Sequence, residues 1–136
     1  MIPRLFLDTN VLLDFILRRE GWEGVARIID LSQKQAVRSY CSYISMADIA
    51  YIAGRHASPE KVRAIIKETS SWCEVLAPSS MDIYNAVRID HPDFEDSLQI
   101  LLAEANRCSA IITSNVRHFE GYTEIPVYTV SQIIEL

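Results

Sequence analysis

Residues 5–10 read Leu5-Phe6-Leu7-Asp8-Thr9-Asn10, and this stretch decides the fold. Three consecutive apolar residues predict a short strand that is buried on both faces, as in a parallel sheet. A helical pattern over about residues 10–18 follows at once, so Asp8 stands at the junction between strand and helix. A buried strand that leads directly into a helix indicates an α/β protein.

Short apolar runs and helical patterns continue to alternate along the rest of the chain. Four more strands are predicted at residues 36–41, 74–76, 110–113 and 126–129. Further helices are predicted at about 22–35, 80–89 and 94–107, and after Ser45, Ser58 and Thr129. This alternation predicts a mostly parallel five-stranded sheet covered by helices on both faces. The length suits one domain, which we expect to span residues 1–136.

Composition narrows the class of protein. Apolar residues make up 49% of the chain, enough for a hydrophobic core. No apolar run approaches the roughly 20 residues that span a bilayer, and the start lacks the pattern of a signal peptide, so we expect a cytoplasmic protein. The three cysteines are far apart, which argues against a disulfide framework or a zinc site. A net charge of −5 argues against a broad basic surface for duplex nucleic acid.

Three aspartates are predicted to lie where chain elements begin at one edge of the sheet: Asp8, Asp48 and Asp96. Ligands of parallel α/β sheets bind outside the carboxyl ends of the strands. Three carboxylates gathered there would repel one another unless a cation neutralised them. Hard oxygen ligands without a nearby cysteine or histidine pair select Mg²⁺ or Mn²⁺ over zinc. The three acids are therefore candidate ligands for one of these cations.

Each of these acids also has a simpler interpretation as a helix cap, because Asp is favoured at helix N-termini. Asp48 and Asp96 come three residues after Ser45 and Asp93, which is the spacing of a capping box. The same spacing occurs in Ser79-Ser80-Met81-Asp82, where no site is predicted. The spacing alone therefore does not separate a metal ligand from a cap.

Other polar residues near the predicted edge have two interpretations each. Asn115 follows the fourth strand and could coordinate a cation through its amide oxygen, or it could simply form a turn. Arg117, Arg18 and Arg19 could contact a phosphate, although cations at helix ends are ordinary. No histidine shows metal-ligand spacing or a triad pattern, and His118 is expected to have a surface role.

Four segments, taken in order, resemble the motifs of PIN domains. They are residues 7–13, 43–51, 93–99 and 111–119, and together they extend over nearly the whole chain. The resemblance implies a three-layer α/β/α sandwich, dependence on Mg²⁺ or Mn²⁺, and cleavage of single-stranded regions of RNA. The chain is similar to small VapC-type toxins, which implies an antitoxin partner and a homodimer.

The resemblance also implies roles for individual residues. The catalytic positions would be Asp8, Asp48, Asp96 and Asn115, of which the three aspartates would bind the metal. The supporting residues would be Asp93, Glu95 and Thr113, and the substrate contacts would be Arg117 and Asn10. The second acid of the family is usually Glu and the fourth position is often Asp, so Asp48 and Asn115 depart from the pattern. Both departures would weaken metal binding, and we expect one tightly held cation.

Other functions remain open beside a metal-dependent endoribonuclease that acts as the toxin of a toxin–antitoxin pair. The two departures leave room for a catalytically weak PIN-like module that only binds RNA or protein. A phosphotransfer enzyme with Asp8 as nucleophile would usually carry a second Asp two residues on, where this chain has Asn10. A purely structural subunit would leave the clustered acids unexplained.

Overall fold

Five parallel strands form the sheet in the computed structural model, which describes residues 1–135. In chain order they are β1 (Arg4–Leu7), β2 (Arg38–Ser42), β3 (Cys73–Leu76), β4 (Ala110–Ile112) and β5 (Val127–Tyr128). Their order across the sheet is β3-β2-β1-β4-β5. Every neighbouring pair runs parallel, with Phe6 of β1 opposite Tyr40 of β2 and Ile111 of β4. The first strand of the chain therefore lies in the middle of the sheet.

Seven α-helices and one 3₁₀ helix connect the strands within the described residues. They are α1 (Thr9–Ile16), α2 (Trp22–Gln33), α3 (Tyr43–Ala53), α4 (Pro59–Trp72), α5 (Ser80–Ala86), α6 (Phe94–Ala105), the 3₁₀ helix (Val116–His118) and α7 (Val130–Ile134). The arrangement confirms the predicted α/β fold with a parallel five-stranded sheet. Residue 136, the last of the predicted domain, lies outside the described residues.

The start of α3 was predicted wrongly. The helix begins at Tyr43 and not at Ser45, because β2 runs on to Ser42, which is the capping residue. The hydroxyl of Ser42 accepts a hydrogen bond from the amide of Ile44 at 3.1 Å. Ser45 is buried inside the helix, and its hydroxyl lies 2.6 Å from that of Thr9, so it joins α3 to α1.

Four predicted helix ends were also wrong. The helices α2 and α5 were expected to continue to about residues 35 and 89, but they end at Gln33 and Ala86. We expected α1 and α6 to continue to residues 18 and 107, but they end at Ile16 and Ala105. Arg18 and Arg107 both have a φ of 54°, in the left-handed region, which is incompatible with a right-handed helix. A left-handed residue of this kind commonly follows the end of a helix.

The central strand contributes to the core on both faces of the sheet. Leu5 and Leu7 pack in one buried cluster with side chains of α1, α2 and α3, whereas Phe6 packs in another with side chains of α6. Successive side chains of a strand point to opposite faces, so helices form a layer on each side. Burial on both faces explains why β1 reads as an unbroken apolar run.

Two expectations from composition can be compared with the structure. The three cysteines, Cys41, Cys73 and Cys108, are all buried as free thiols, where they pack as small apolar residues. Within residues 1–135, no helix has the length and apolar character needed to cross a bilayer.

Candidate functional site

The carboxyl ends of the central strands open into a cleft of about 350 Å³. The residues that line it are Asp8, Thr9, Asn10, Leu13, Asp48, Ile52, Asp93, Glu95, Asp96, Gln99, Ser114, Asn115 and His118. They come from β1 and α1, from α3, from the start of α6, and from the segment after β4. The cleft therefore gathers the three predicted aspartates from separate parts of the chain.

Asp8 ends the apolar run of β1 at the floor of the cleft. It occupies the capping position of α1, but its side chain makes no capping hydrogen bond with any described residue. Instead, Thr113 Oγ1 donates to Asp8 Oδ2 at 2.9 Å and Gln99 Nε2 donates to Asp8 Oδ1 at 3.2 Å. Asp8 is therefore the capping residue of α1 by position, while two buried donors hold its carboxylate in the cleft.

Asp96 lies in the first turn of α6, three residues after the capping residue Asp93. The side chain of Asp93 accepts a hydrogen bond from the amide of Asp96 at 3.2 Å, which is one half of a capping box. The other half is replaced, because the amide of Asp93 donates to His91 Nδ1 at 2.9 Å. The carboxylate of Asp96 lies 3.4 Å from Gln99 Nε2 and 3.6 Å from His118 Nδ1, inside the cleft.

Asp48 meets the other acids through Glu95. Asp48 lies close enough to Glu95 for its carboxyl group to raise the pKa of Glu95. Burial is the largest cause that raises the pKa of Glu95, followed by the hydrogen bond and the negative charge of Asp48, and the result is a pKa of about 7. Glu95, which was expected only to support the site, is thus the direct neighbour of Asp48.

Burial raises the pKa of Asp8 and Asp96 as well, and neighbouring negative charges add to the effect at Asp96. Burial is the largest cause at Asp8, and it outweighs the hydrogen bonds from Thr113 and Gln99 that lower the pKa. Burial comes first at Asp96 as well, followed by the negative charges of Asp93 and Asp8, and together they raise its pKa to about 6. The cleft is therefore short of positive charge, which a bound cation would supply.

A family model described as the PIN domain matches residues 4–117 of the sequence. The chain belongs to the PIN domain family. No curated protein matches the chain by sequence. Most of the residues that line the cleft of this PIN domain lie in the four segments whose sequence resembles the family.

Solved structures share the fold of this PIN domain at low identity. VapBC2 from Rickettsia felis bound to a promoter DNA fragment is 15% identical, with a TM-score of 0.72, over 91% of this chain and 96% of that one. VapBC-1 from nontypeable Haemophilus influenzae is 19% identical, with a TM-score of 0.72, over 94% and 98%. A toxin–antitoxin complex from Klebsiella pneumoniae is 20% identical, with a TM-score of 0.67, over 93% and 97%.

The side chains of the cleft fit a hard divalent cation in kind and in charge. Carboxylate and amide oxygens predominate, and no cysteine is among the described residues that line the cleft. Gln99 Oε1 is buried and has no hydrogen-bond partner among the described residues. Within residues 1–135, no three His, Cys, Asp or Glu side chains converge into a ready-made coordination shell. The fit therefore rests on donor chemistry and charge.

The remaining predicted residues lie at different depths around the acids. Thr113 is buried, and its hydroxyl both donates to Asp8 and accepts from the amide of Asn115 at 3.0 Å. It therefore ties the fourth segment to the first. Asn115 and Asn10 line the cleft from exposed positions. Arg117 is exposed on the 3₁₀ helix and does not belong to the lining of the cleft.

Two residues whose side chains lie next to Asp96 were not predicted from the sequence. Gln99 follows Asp96 by three residues on α6, so helical periodicity could have placed both on the same face. His91 has no such signal, yet its side chain is only 3% exposed and contacts the start of α6. His118, expected at the surface, has a side chain that is 58% exposed at the mouth of the cleft.

Proposed function

We propose that this PIN domain is a divalent-metal-dependent endoribonuclease that uses Mg²⁺ or Mn²⁺ to hydrolyse phosphodiester bonds in single-stranded regions of RNA. The observation that carries the proposal is the cleft, where the buried carboxyl groups of Asp8 and Asp96 and the half-buried one of Glu95 lie together with raised pKa values. Carboxylates this close together repel one another when they are ionised, and a bound cation would reduce that repulsion. Residues 1–136 would act as one PIN-like domain in the cytoplasm.

In this proposal Asp8, Asp96 and Asp48 hold the cation, with Asn115 as the fourth catalytic position. A bound divalent cation supplies positive charge for the phosphate and lowers the pKa of water. Thr113 and Gln99 keep the carboxylate of Asp8 in place through their hydrogen bonds. We infer one cation, because Asp48 is one methylene shorter than the Glu usual at that position and Asn115 adds no negative charge.

The other cleft residues handle protons and substrate. Asp93 and Glu95 are supporting acids, and a pKa of about 7 lets the carboxyl of Glu95 hold or release a proton near neutral pH. Asn10 and Arg117 are the proposed substrate contacts, from the rim of the cleft and from the neighbouring 3₁₀ helix. Since the cleft is acidic, RNA would bind there only with the cation in place.

We further propose that the protein is the toxin of a toxin–antitoxin pair and forms a homodimer. The support is the shared fold with VapBC structures and with a toxin–antitoxin complex. Large apolar side chains that are exposed on α5 and at the residue after it support self-association: Met81, Tyr84 and Val87 are 64%, 61% and 69% exposed.

The test is cleavage of an unstructured, fluorescently labelled RNA with and without Mg²⁺ or Mn²⁺. We expect cleavage by the wild type only with the cation, and its loss in Asp8→Asn and Asp96→Asn, because each amide removes a negative ligand. Equal activity in all three proteins would overturn the mechanism. The oligomeric state and co-purification with a small antitoxin would test the partner proposals separately.

A catalytically weak binding module is the second candidate. It is favoured by the side chains that do not converge into a coordination shell within residues 1–135, and by the neutral Asn115. Calorimetric titration of the metal-free protein with Mn²⁺ separates the two functions. Binding of one Mn²⁺ per chain that is lost in Asp8→Asn supports the nuclease, whereas absence of binding supports the module.

A further inference from the structure

His91 lies in the loop before α6 and makes two hydrogen bonds with its ring. Nδ1 accepts from the amide of Asp93 at 2.9 Å, and Nε2 lies 2.5 Å from the carbonyl oxygen of His118. Because Nδ1 accepts a hydrogen bond, it carries no proton, so the proton resides on Nε2 and is donated to His118. The ring also packs against Tyr122 in a tilted arrangement, with centroids 4.2 Å apart and an angle of 51° between the ring planes.

The hydrogen bond from the amide of Asp93 to His91 replaces one half of a capping box at α6. In a capping box, the side chain three residues after the cap accepts a hydrogen bond from the amide of the capping residue. Asp82 does this for Ser79 at α5, at 2.9 Å. Gln132 does the same at α7. At α6 the equivalent residue is Asp96, and His91 accepts the bond instead.

We propose that His91 is a positioning residue: it completes the cap of α6 in place of Asp96 and so leaves the Asp96 carboxylate free to face the cleft. This inference rests on the proposed function, because it concerns one of the proposed metal ligands. Its basis is the pair of bonds at Asp93, whose side chain accepts from Asp96 while its amide donates to His91.

The second bond of the ring fixes His91 itself. The carbonyl that it contacts belongs to the 3₁₀ helix, which follows Asn115. His91 thus joins the start of α6 to the segment that carries the fourth predicted position. Without the imidazole, the amide of Asp93 would lose its acceptor, and the acceptor that a capping box supplies is the carboxylate three residues on, as at α5.

The experiment measures Mn²⁺ affinity of the metal-free protein by calorimetry, with thermal unfolding beside it. His91→Phe keeps an aromatic ring against Tyr122 but removes both hydrogen bonds. We expect its Mn²⁺ affinity to fall about tenfold, as is typical when a group that orients a metal ligand is lost. His91→Asn should restore most of the affinity, because an Asn side chain readily accepts a hydrogen bond from the amide two residues on.

The matched control is Tyr122→Leu, which removes the aromatic ring that packs against His91 and leaves both hydrogen bonds of His91 in place. It should lower thermal stability and leave Mn²⁺ affinity within about twofold, well inside the tenfold effect expected for loss of an orienting group. Wild-type affinity in His91→Phe would overturn the inference, as would equal losses in the Phe and Asn variants. If the wild type binds no Mn²⁺, the proposed metal site itself fails, which is a different result.

Discussion

The N-termini of α5 and α6 carry the same sequence signature but use it differently. In each, a polar capping residue is followed by an aspartate three residues later. Asp82 returns its carboxylate to the amide of Ser79 and closes the box. Asp96 does not, because a histidine outside the helix accepts the bond, and its carboxylate turns to the cleft. An acid three residues after the cap therefore closes the capping box unless another side chain accepts the hydrogen bond of the capping amide. In that case its carboxylate can enter a site.

The largest difference between the two helices should appear in catalysis. Asp96→Asn should lower metal-dependent RNA cleavage by about 10²–10³-fold, the size seen when one charge-stabilising group is removed from an active site. Asp82→Asn should leave the rate within about twofold of wild type, since no transition-state contact is removed. The measurement is single-turnover cleavage of the labelled RNA at saturating Mn²⁺. A comparable loss in both variants would erase the distinction.

The next effect concerns the stability of the metal-free protein and its dependence on pH. The folded state raises the pKa of Asp96 from 3.8 to about 6, so it binds this proton more tightly than the unfolded chain does. Proton binding by Asp96 therefore stabilises the folded state in full below pH 3.8. This contribution to the free energy of unfolding is lost as the pH rises through about 6. Asp96→Asn, which carries no charge, should therefore unfold about 3–5 °C above wild type at pH 7.5.

The sign of that comparison can be checked by changing the conditions. The advantage of Asp96→Asn should shrink as pH falls towards 5 and should disappear when excess Mn²⁺ is added, because the cation replaces the missing positive charge. Differential scanning calorimetry at several pH values gives both results. An Asn variant that is less stable than wild type at pH 7.5 would mean that the carboxylate is not strained.

A smaller effect is expected at the cap of α5. Ser79→Ala removes the hydroxyl that accepts a hydrogen bond from the amide of Asp82 at 3.1 Å. Loss of such a cap costs about 1 kcal/mol of unfolding free energy. Urea denaturation measures this loss, and RNA cleavage should be unchanged at saturating Mn²⁺. A change in cleavage would show that α5 is coupled to the cleft.

The smallest effect should come from Asp82→Gln. At α7 the equivalent position is Gln132, which accepts from the amide of Thr129 at 2.9 Å. A glutamine at position 82 can do the same, so the unfolding free energy should change by less than about 0.5 kcal/mol. The same urea experiment serves here, and a loss above about 1 kcal/mol, the worth of a whole cap, would show that charge matters at α5.

The fold was predictable because each of its signals is local. Three apolar residues in β1 suffice to predict a strand buried on both faces, and Phe6 and Leu7 are indeed fully buried. Boundaries were less predictable, since they depend on single contacts. Ser42 caps α3 because β2 runs on to that residue, whereas Ser45 lies inside the helix and its hydroxyl bonds that of Thr9.

The site was predictable only in part. The three aspartates could be placed at one edge of the sheet because parallel strands end together there. Whether Asp96 caps α6 or enters the cleft depends on His91 in the preceding loop. The conformation of a loop produces no periodic pattern of apolar residues, so the sequence did not predict it. The orientation of Asp8 likewise depends on Thr113, a neighbour 105 residues away in the chain.

The central position of β1 has a consequence for synthesis on the ribosome. Strand β1 emerges before the other four strands, but the hydroxyl of Thr113 that holds Asp8 is translated 105 residues after Asp8, just beyond the neighbouring strand β4. A nascent chain therefore cannot assemble the cleft until β4 and Thr113 have left the ribosome. If the protein cuts RNA as proposed, the messenger that encodes it is not exposed to a half-made enzyme.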